Sequence, residues 1–304
     1  MKAILYTLLA LIAFAANSLL CRIALANGYI DAWNFTALRL LSGALCLGVI
    51  LLWQSKSSLR LVNTEYAPDN GSWRSSISLV VYALCFSLAY IELDTGSGAL
   101  ILFSAVQLTM IGWGIINKER LSAIQWAAFM CALMGFIYLM LPSATVPSVL
   151  PAVLMCTSGI AWGVYSIRGK ACKSPLRATS YNFFRSVLIL PVFFIVGFAS
   201  VAQLNWQGIA LACASGALAS GIGYSIWYIA LPLLKSTQAA VVQLCVPVIA
   251  AIAGAIFLDE VLSARFIIAS AFILGAVMVF LLVKQPQSLH STHSADKALA
   301  DESK

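Results

Sequence analysis

Ten apolar segments, each about the length of a bilayer crossing, divide this chain almost from end to end. They run over approximately residues 3–25, 34–53, 76–92, 97–117, 122–141, 148–167, 178–199, 207–230, 236–258 and 264–283. A helix needs ~20 apolar residues to cross the hydrocarbon core, where only structures that satisfy their own backbone polar groups persist. The expected fold class is therefore an all-α membrane protein with ten transmembrane helices. Composition agrees: 62% of the 304 residues are hydrophobic and 10% are charged, against roughly 25% charged in a soluble domain. The first segment follows Met1-Lys2 as the core of a signal peptide would. It continues to about Ala26 without a clear small-x-small cleavage context, so we read it as the first transmembrane helix.

The net charge of +7 does not imply a nucleic-acid partner, because the basic residues sit in short connections rather than on one amphipathic face. With the N-terminus inside, the inner connections carry fourteen of the eighteen Lys and Arg residues, and the outer ones carry only Arg265. The positive-inside rule then puts both termini in the cytoplasm. The eight cysteines are scattered without CxxC or metal spacing and read as small buried hydrophobes. His290 and His293 lie in a polar tail, residues 285–304, expected to be disordered. No cofactor or metal is expected, and no Walker-type phosphate loop is present.

The chain also repeats itself. Lys118-Glu119-Arg120-Leu121-Ser122 follows the fourth segment, and Asp259-Glu260-Val261-Leu262-Ser263 follows the ninth. Arg22 and Arg39 are seventeen residues apart, as are Arg168 and Arg185. Duplication explains several matches in the same order. Five helices per unit is an odd number, so the second unit enters from the opposite side. The expectation is two inverted five-helix repeats, residues 3–142 and 147–284.

These residues resemble the drug/metabolite transporter superfamily, and within it proteins with two tandem EamA-type repeats. The resemblance rests on the ten spans and on an Arg near the start of each repeat's second helix (Ala37-Leu38-Arg39, Phe183-Phe184-Arg185). It rests also on Glu-x-Leu-Ser after each fourth helix, and on Val246-Pro247-Val248 ahead of Asp259-Glu260. The first repeat departs from that last pattern, with Val106 at the corresponding place. The resemblance implies a transporter, most often a bacterial inner-membrane exporter of amino acids, drug-like compounds or related metabolites; the rival readings are a non-transporting sensor or scaffold and a membrane-embedded enzyme, and for the enzyme the sequence offers no His or His/Asp constellation. The transporter would act as a monomer or homodimer in the lipid bilayer, by alternating access through a cavity between the repeats.

In an inverted-repeat carrier the substrate sits near the bilayer midplane, between the halves. Asn17, Gln107 and Gln243 are the mid-span polar residues, and either line a cavity or bond neighbouring helices. Tyr82, Trp162, Tyr165 and Tyr224 form an aromatic set suited to the same cavity. Tyr90, Trp227 and Tyr228 stand near segment ends and are assigned to the interfacial belt. Arg22, Arg39, Arg168 and Arg185 are expected to set helix depth and make gating contacts, with substrate charge recognition as the other reading; Arg39 is placed within snorkelling reach of the interface. Glu119, Glu260 and Pro247 join them as structural or gating residues. No Asp, Glu or His occupies a mid-span position, so no proton-relay residue can be named.

Overall fold

The computed structural model describes residues 2–56, 69–117, 119, 121–140, 149–259, 261 and 264–283. Among them there are helices and connections but no strand. Seven helices are long and apolar enough to cross a membrane: α1 (Lys2–Ala26), α2 (Ala32–Trp53, continuing to Lys56), α4 (Thr95–Ile116), α6 (Val149–Lys170), α7 (Pro175–Val196), α8 (Trp206–Leu233) and α9 (Ser236–Phe257). Three shorter apolar helices complete the described bundle: α3 (Trp73–Ala89), α5 (Ala123–Met140) and α10 (Ala264–Leu282). Each observed boundary falls within a few residues of an apolar segment read from the sequence. The linker between the expected repeats, Glu260 and the tail all lie outside the described residues.

Local chemistry accounts for where the helices begin and end. Asp31 Oδ1 accepts from the backbone N–H groups of Trp33 and Asn34, at 3.0 and 3.1 Å, and opens α2. Ser72 and Asn205 cap α3 and α8 in the same way. Ser122 and Gln125 exchange reciprocal side-chain to backbone bonds at the head of α5. Gly28, at φ 64°, ends α1 in a left-handed turn whose N–H bonds to Leu25 O while Tyr29 N–H bonds to Ala24 O.

Two helices are irregular where the centre of the bundle needs them to be. Within α8, Ser215–Ile222 forms a π-helical stretch between two α-helical arms. Within α9, successive i→i+3 bonds (Gln243 N to Ala240 O, Leu244 N to Val241 O, Val246 N to Gln243 O) replace the α pattern. Pro247 explains this break, because it has no N–H to offer the Gln243 carbonyl four residues back.

The packing pairs α1 with α8 and α9, α6 with α3 and α4, α2 with α7 and α8, and α5 with α10. Close approach depends on glycine at α6–α4, where a Cβ on Gly159 would overlap Leu102 O and come 2.6 Å from Ala105 Cβ. Large apolar side chains such as Ile4, Leu8, Leu45, Val49, Leu108 and Ile195 cover the outside, as a bundle in lipid requires. The cysteines differ from the sequence expectation. Cys21 is buried, Cys156 is exposed and the other six lie between, because an apolar surface lets a small apolar side chain sit outside as readily as inside.

Charge separates to the two ends. One end gathers Arg168, Lys170, Lys173, Arg177, Arg185 and Lys235, with Asp69 and Glu119 among them. The other carries Arg22 with Asp31, Glu92, Asp94 and Asp259.

Candidate functional site

Six side chains from four helices meet in the middle of the bundle: Asn17 (α1), Arg39 (α2), Tyr82 (α3), and Ser215, Ser220 and Tyr224 (α8). All are at most 4% exposed. Arg39 donates through Nη2 to the Tyr224 hydroxyl at 2.6 Å and the Tyr82 hydroxyl at 3.1 Å, and through Nε to Ser220 Oγ at 3.0 Å. Asn17 donates to the Tyr82 hydroxyl at 3.1 Å and accepts from Ser215 Oγ at 2.6 Å, with Ser220 Oγ at 3.5 Å. The Tyr82 and Tyr224 hydroxyls are 3.0 Å apart. Ser215 and Ser220, five residues apart, both reach Asn17 because the π-helical stretch brings i and i+5 onto one face.

The guanidinium of Arg39 also stacks over the rings of Tyr82 and Phe86, each centroid 5.1 Å from Cζ. Its Nη1 is buried without a hydrogen-bond partner. This corrects the interfacial expectation. Helix α2 begins at Ala32, so Arg39 lies seven residues in, ~10 Å along the axis. Tyrosine and serine hydroxyls from α3 and α8 receive the head group there, so it has no need to reach water.

An aromatic box adjoins the cluster. Trp162 packs against Phe14 (ring centroids 5.1 Å apart), Tyr82 (5.1 Å), Tyr165 (5.6 Å) and Tyr224 (4.6 Å). Its indole N–H donates to Gln243 Oε1 at 2.9 Å. Gln243 stands at the α9 break and donates in turn to Ala239 O at 2.8 Å. Gln107 Nε2 reaches Ala240 O at 2.5 Å, one residue along the same irregular turn. The carbonyls disturbed ahead of Pro247 are thus met by two glutamines.

The structure therefore brings Asn17, Tyr82, Trp162, Tyr165, Tyr224 and Gln243 into one continuous core, with Gln107 at its α9 edge. Tyr90, Trp227 and Tyr228 are not belt residues. They are buried, and bond to Thr95 O, Ser166 Oγ and Tyr165 O respectively. Distance from a segment end misplaced them because polar groups on neighbouring helices satisfy their ring heteroatoms internally. Ser215, Ser220 and Phe14 were not singled out in the sequence. The Gly/Ala/Ser-rich run over 214–223 was visible there, but the π register that aligns the two serines was not.

Separate polar contacts close each end. At the acidic end Arg22 donates to the Tyr90 and Ile91 carbonyls, each at 3.2 Å, and pairs with Asp94 at 3.3 Å. At the basic end Glu119 accepts from the backbone N–H groups of Ser236 and Thr237, at 3.0 and 3.1 Å, and pairs with Lys170 at 3.3 Å. Burial pushes the Glu119 carboxyl up, but those two N–H groups and the Lys170 ammonium outweigh it and hold the carboxyl below the usual carboxylate range. Arg168 donates to Ser72 and Ser75 Oγ, each at 3.0 Å. Arg185 does not mirror Arg39: it lies half-buried over Trp73 and bonds to Asn70 O.

Residues 149–282 match the EamA-like transporter family model. An uncharacterized protein of Pseudomonas aeruginosa is 45% identical over 280 residues, which cover 92% of this chain and 94% of the relative. An uncharacterized transporter of Archaeoglobus fulgidus is 25% identical over 207 residues, covering 64% of this chain and 71% of its own. A solved protein crystal structure shares the fold with a TM-score of 0.66 at 19% identity, over 90% of this chain and 97% of that one.

Proposed function

Because this chain belongs to the EamA-like transporter family, and is thus a multi-pass membrane transporter, we propose that it moves small metabolites through the centre of the bundle by alternating access. One observation carries this reading: a polar and aromatic core at mid-depth lies between two distinct polar closures, Arg22–Asp94 at one end and Glu119–Lys170 at the other. Breaking one closure while the other holds would expose the core to one side at a time. The irregular turns in α8 and α9 supply backbone that bends at the core itself.

We read the fold as ten spans, the three shorter helices included, in two inverted repeats over 3–142 and 147–284. The packing supports this. Adding five to each helix number turns the contacts of α1 with α8 and α9 into those of α6 with α3 and α4, and leaves the α5–α10 pair unchanged. The basic end is the cytoplasmic one on this reading, with both termini inside an inner membrane, as the charge separation favours. Amino acids and drug-like compounds are the proposed cargo and export the proposed direction, since a box of Trp, Tyr and Phe with amide groups suits such solutes.

The test is uptake of radiolabelled amino acids and cationic dyes into liposomes holding the purified protein, with and without a pH gradient. Saturable uptake is expected, and its loss in Trp162→Ala and Gln243→Ala at unchanged protein abundance ties it to this core. Equal loss of abundance would assign those residues to packing, and no uptake of any solute by folded protein would refute the carrier.

A further inference from the structure

We infer that Arg39 is the anion-recognition residue of this core, and that the transported solute carries a carboxylate which docks on its free Nη1 edge. The inference deepens the transport reading and rests on it. It begins from a count of hydrogen-bonding groups. Among the six polar side chains of the cluster, only Asn17 Oδ1 is an acceptor that is not also a donor, and Ser215 and Ser220 already address it. The five guanidinium N–H bonds and the Asn17 amide N–H groups only donate, whereas the four hydroxyls both donate and accept. The Tyr82 hydroxyl oxygen has three donors around it, Asn17, Arg39 and Tyr224. The hydroxyls are engaged with one another and with Arg39 Nε and Nη2, and none of them reaches Arg39 Nη1.

The charge count agrees. Arg39 is 1% exposed, and every acidic residue among the described ones (Asp31, Asp69, Glu92, Asp94, Glu119, Asp259) lies outside the helical spans. No described carboxylate balances the buried guanidinium, which is held by hydroxyls and two aromatic faces while Nη1 bonds to nothing. A buried cation with unused N–H donors is unfavourable unless an anion completes it. A guanidinium edge matches a carboxylate in shape as well as charge. The rings of Tyr82 and Tyr224 join Arg39 to Trp162 and Phe14, so a solute anchored by its carboxylate would lay an apolar or aromatic body in that box. The predicted class is small organic acids and zwitterions; a cation without a carboxylate is disfavoured.

Quenching of tryptophan fluorescence in the purified full-length protein reads binding directly, since Trp162 lies in the box. The probes are 3-phenylpropionate, L-phenylalanine, 2-phenylethylamine and the methyl ester of 3-phenylpropionate. The two carboxylates are expected to bind, and the amine and ester at least tenfold more weakly. Arg39→Gln should weaken the carboxylates about tenfold or more, and Arg39→Lys should restore part of that loss. If Arg39→Gln fails to fold, the acid-against-ester comparison in the unaltered protein decides alone. Equal binding of acid and ester, binding of the amine as tight as that of the acids, or no binding of either acid would each overturn the inference. Liposomes that carry the amine but not the acids would overturn it while leaving the transport reading intact.

Discussion

Glu119 is where a single substitution should reveal most about how the basic end is held shut. Its carboxylate spans three elements: it accepts from the first N–H groups of α9 and pairs with Lys170 at the end of α6. Glu119→Ala removes an N-terminal cap, worth about 1 kcal/mol, and a negative charge at a helix N-terminus, worth roughly 0.3–1 kcal/mol. The ion pair adds no more than about 0.5 kcal/mol, because the Lys170 side chain is 33% exposed and partly screened. The expected loss is about 2 kcal/mol, or roughly 3 °C in the midpoint of thermal unfolding for a chain of this size. The pH dependence has a definite sign. The folded carboxyl titrates below the ordinary glutamate value. Its contribution is therefore complete above about pH 4.3 and disappears as pH falls through the lower folded value. Thermal unfolding in detergent, followed by near-ultraviolet circular dichroism, should show a constant gap between the unaltered and substituted proteins around neutral pH. The gap should close only in more acid solution. An unchanged midpoint for Glu119→Ala, or a gap that does not narrow at all on acidification, would refute the capping role.

Three further outcomes follow from the geometry. Gly216→Ala would push a Cβ into Arg39 O and Ser42 Oγ where α8 crosses α2, and should cost about 1–3 kcal/mol and disturb the core; unfolding midpoint and tryptophan emission report it. Trp162→Phe, Gln243→Leu and the double variant form a cycle in which the coupling should be about 1 kcal/mol or more by thermal unfolding, and additive effects would deny the buried bond. Arg22→Gln should change stability by less than about 1 kcal/mol, since its partner Asp94 is 68% exposed. Labelling of Cys21 by a membrane-impermeant maleimide should nevertheless rise in that variant as the acidic end loosens. Unchanged labelling would remove Arg22 from the closure.

Apolar runs of bilayer length, broken by short charged connections, locate the helices of the described residues within a few residues, because a backbone in lipid has to satisfy its own polar groups. The same one-dimensional pattern picked out Asn17, Gln107 and Gln243, since an amide in an apolar run has to bond to something. It could not say what each one meets. Arg39 looked interfacial because depth was counted along one helix, whereas its environment is set by Tyr82 and Tyr224 from two others. Trp227 and Tyr228 looked like belt residues for the same reason. Ser215 and Ser220 share a face only in a π register, and that stretch packs against α1 and α2, which no one-dimensional pattern displays. Membrane residence is a property of the summed transfer free energy of each segment, so composition alone determines it. The site is a property of which helices touch, and only the tertiary structure decides that.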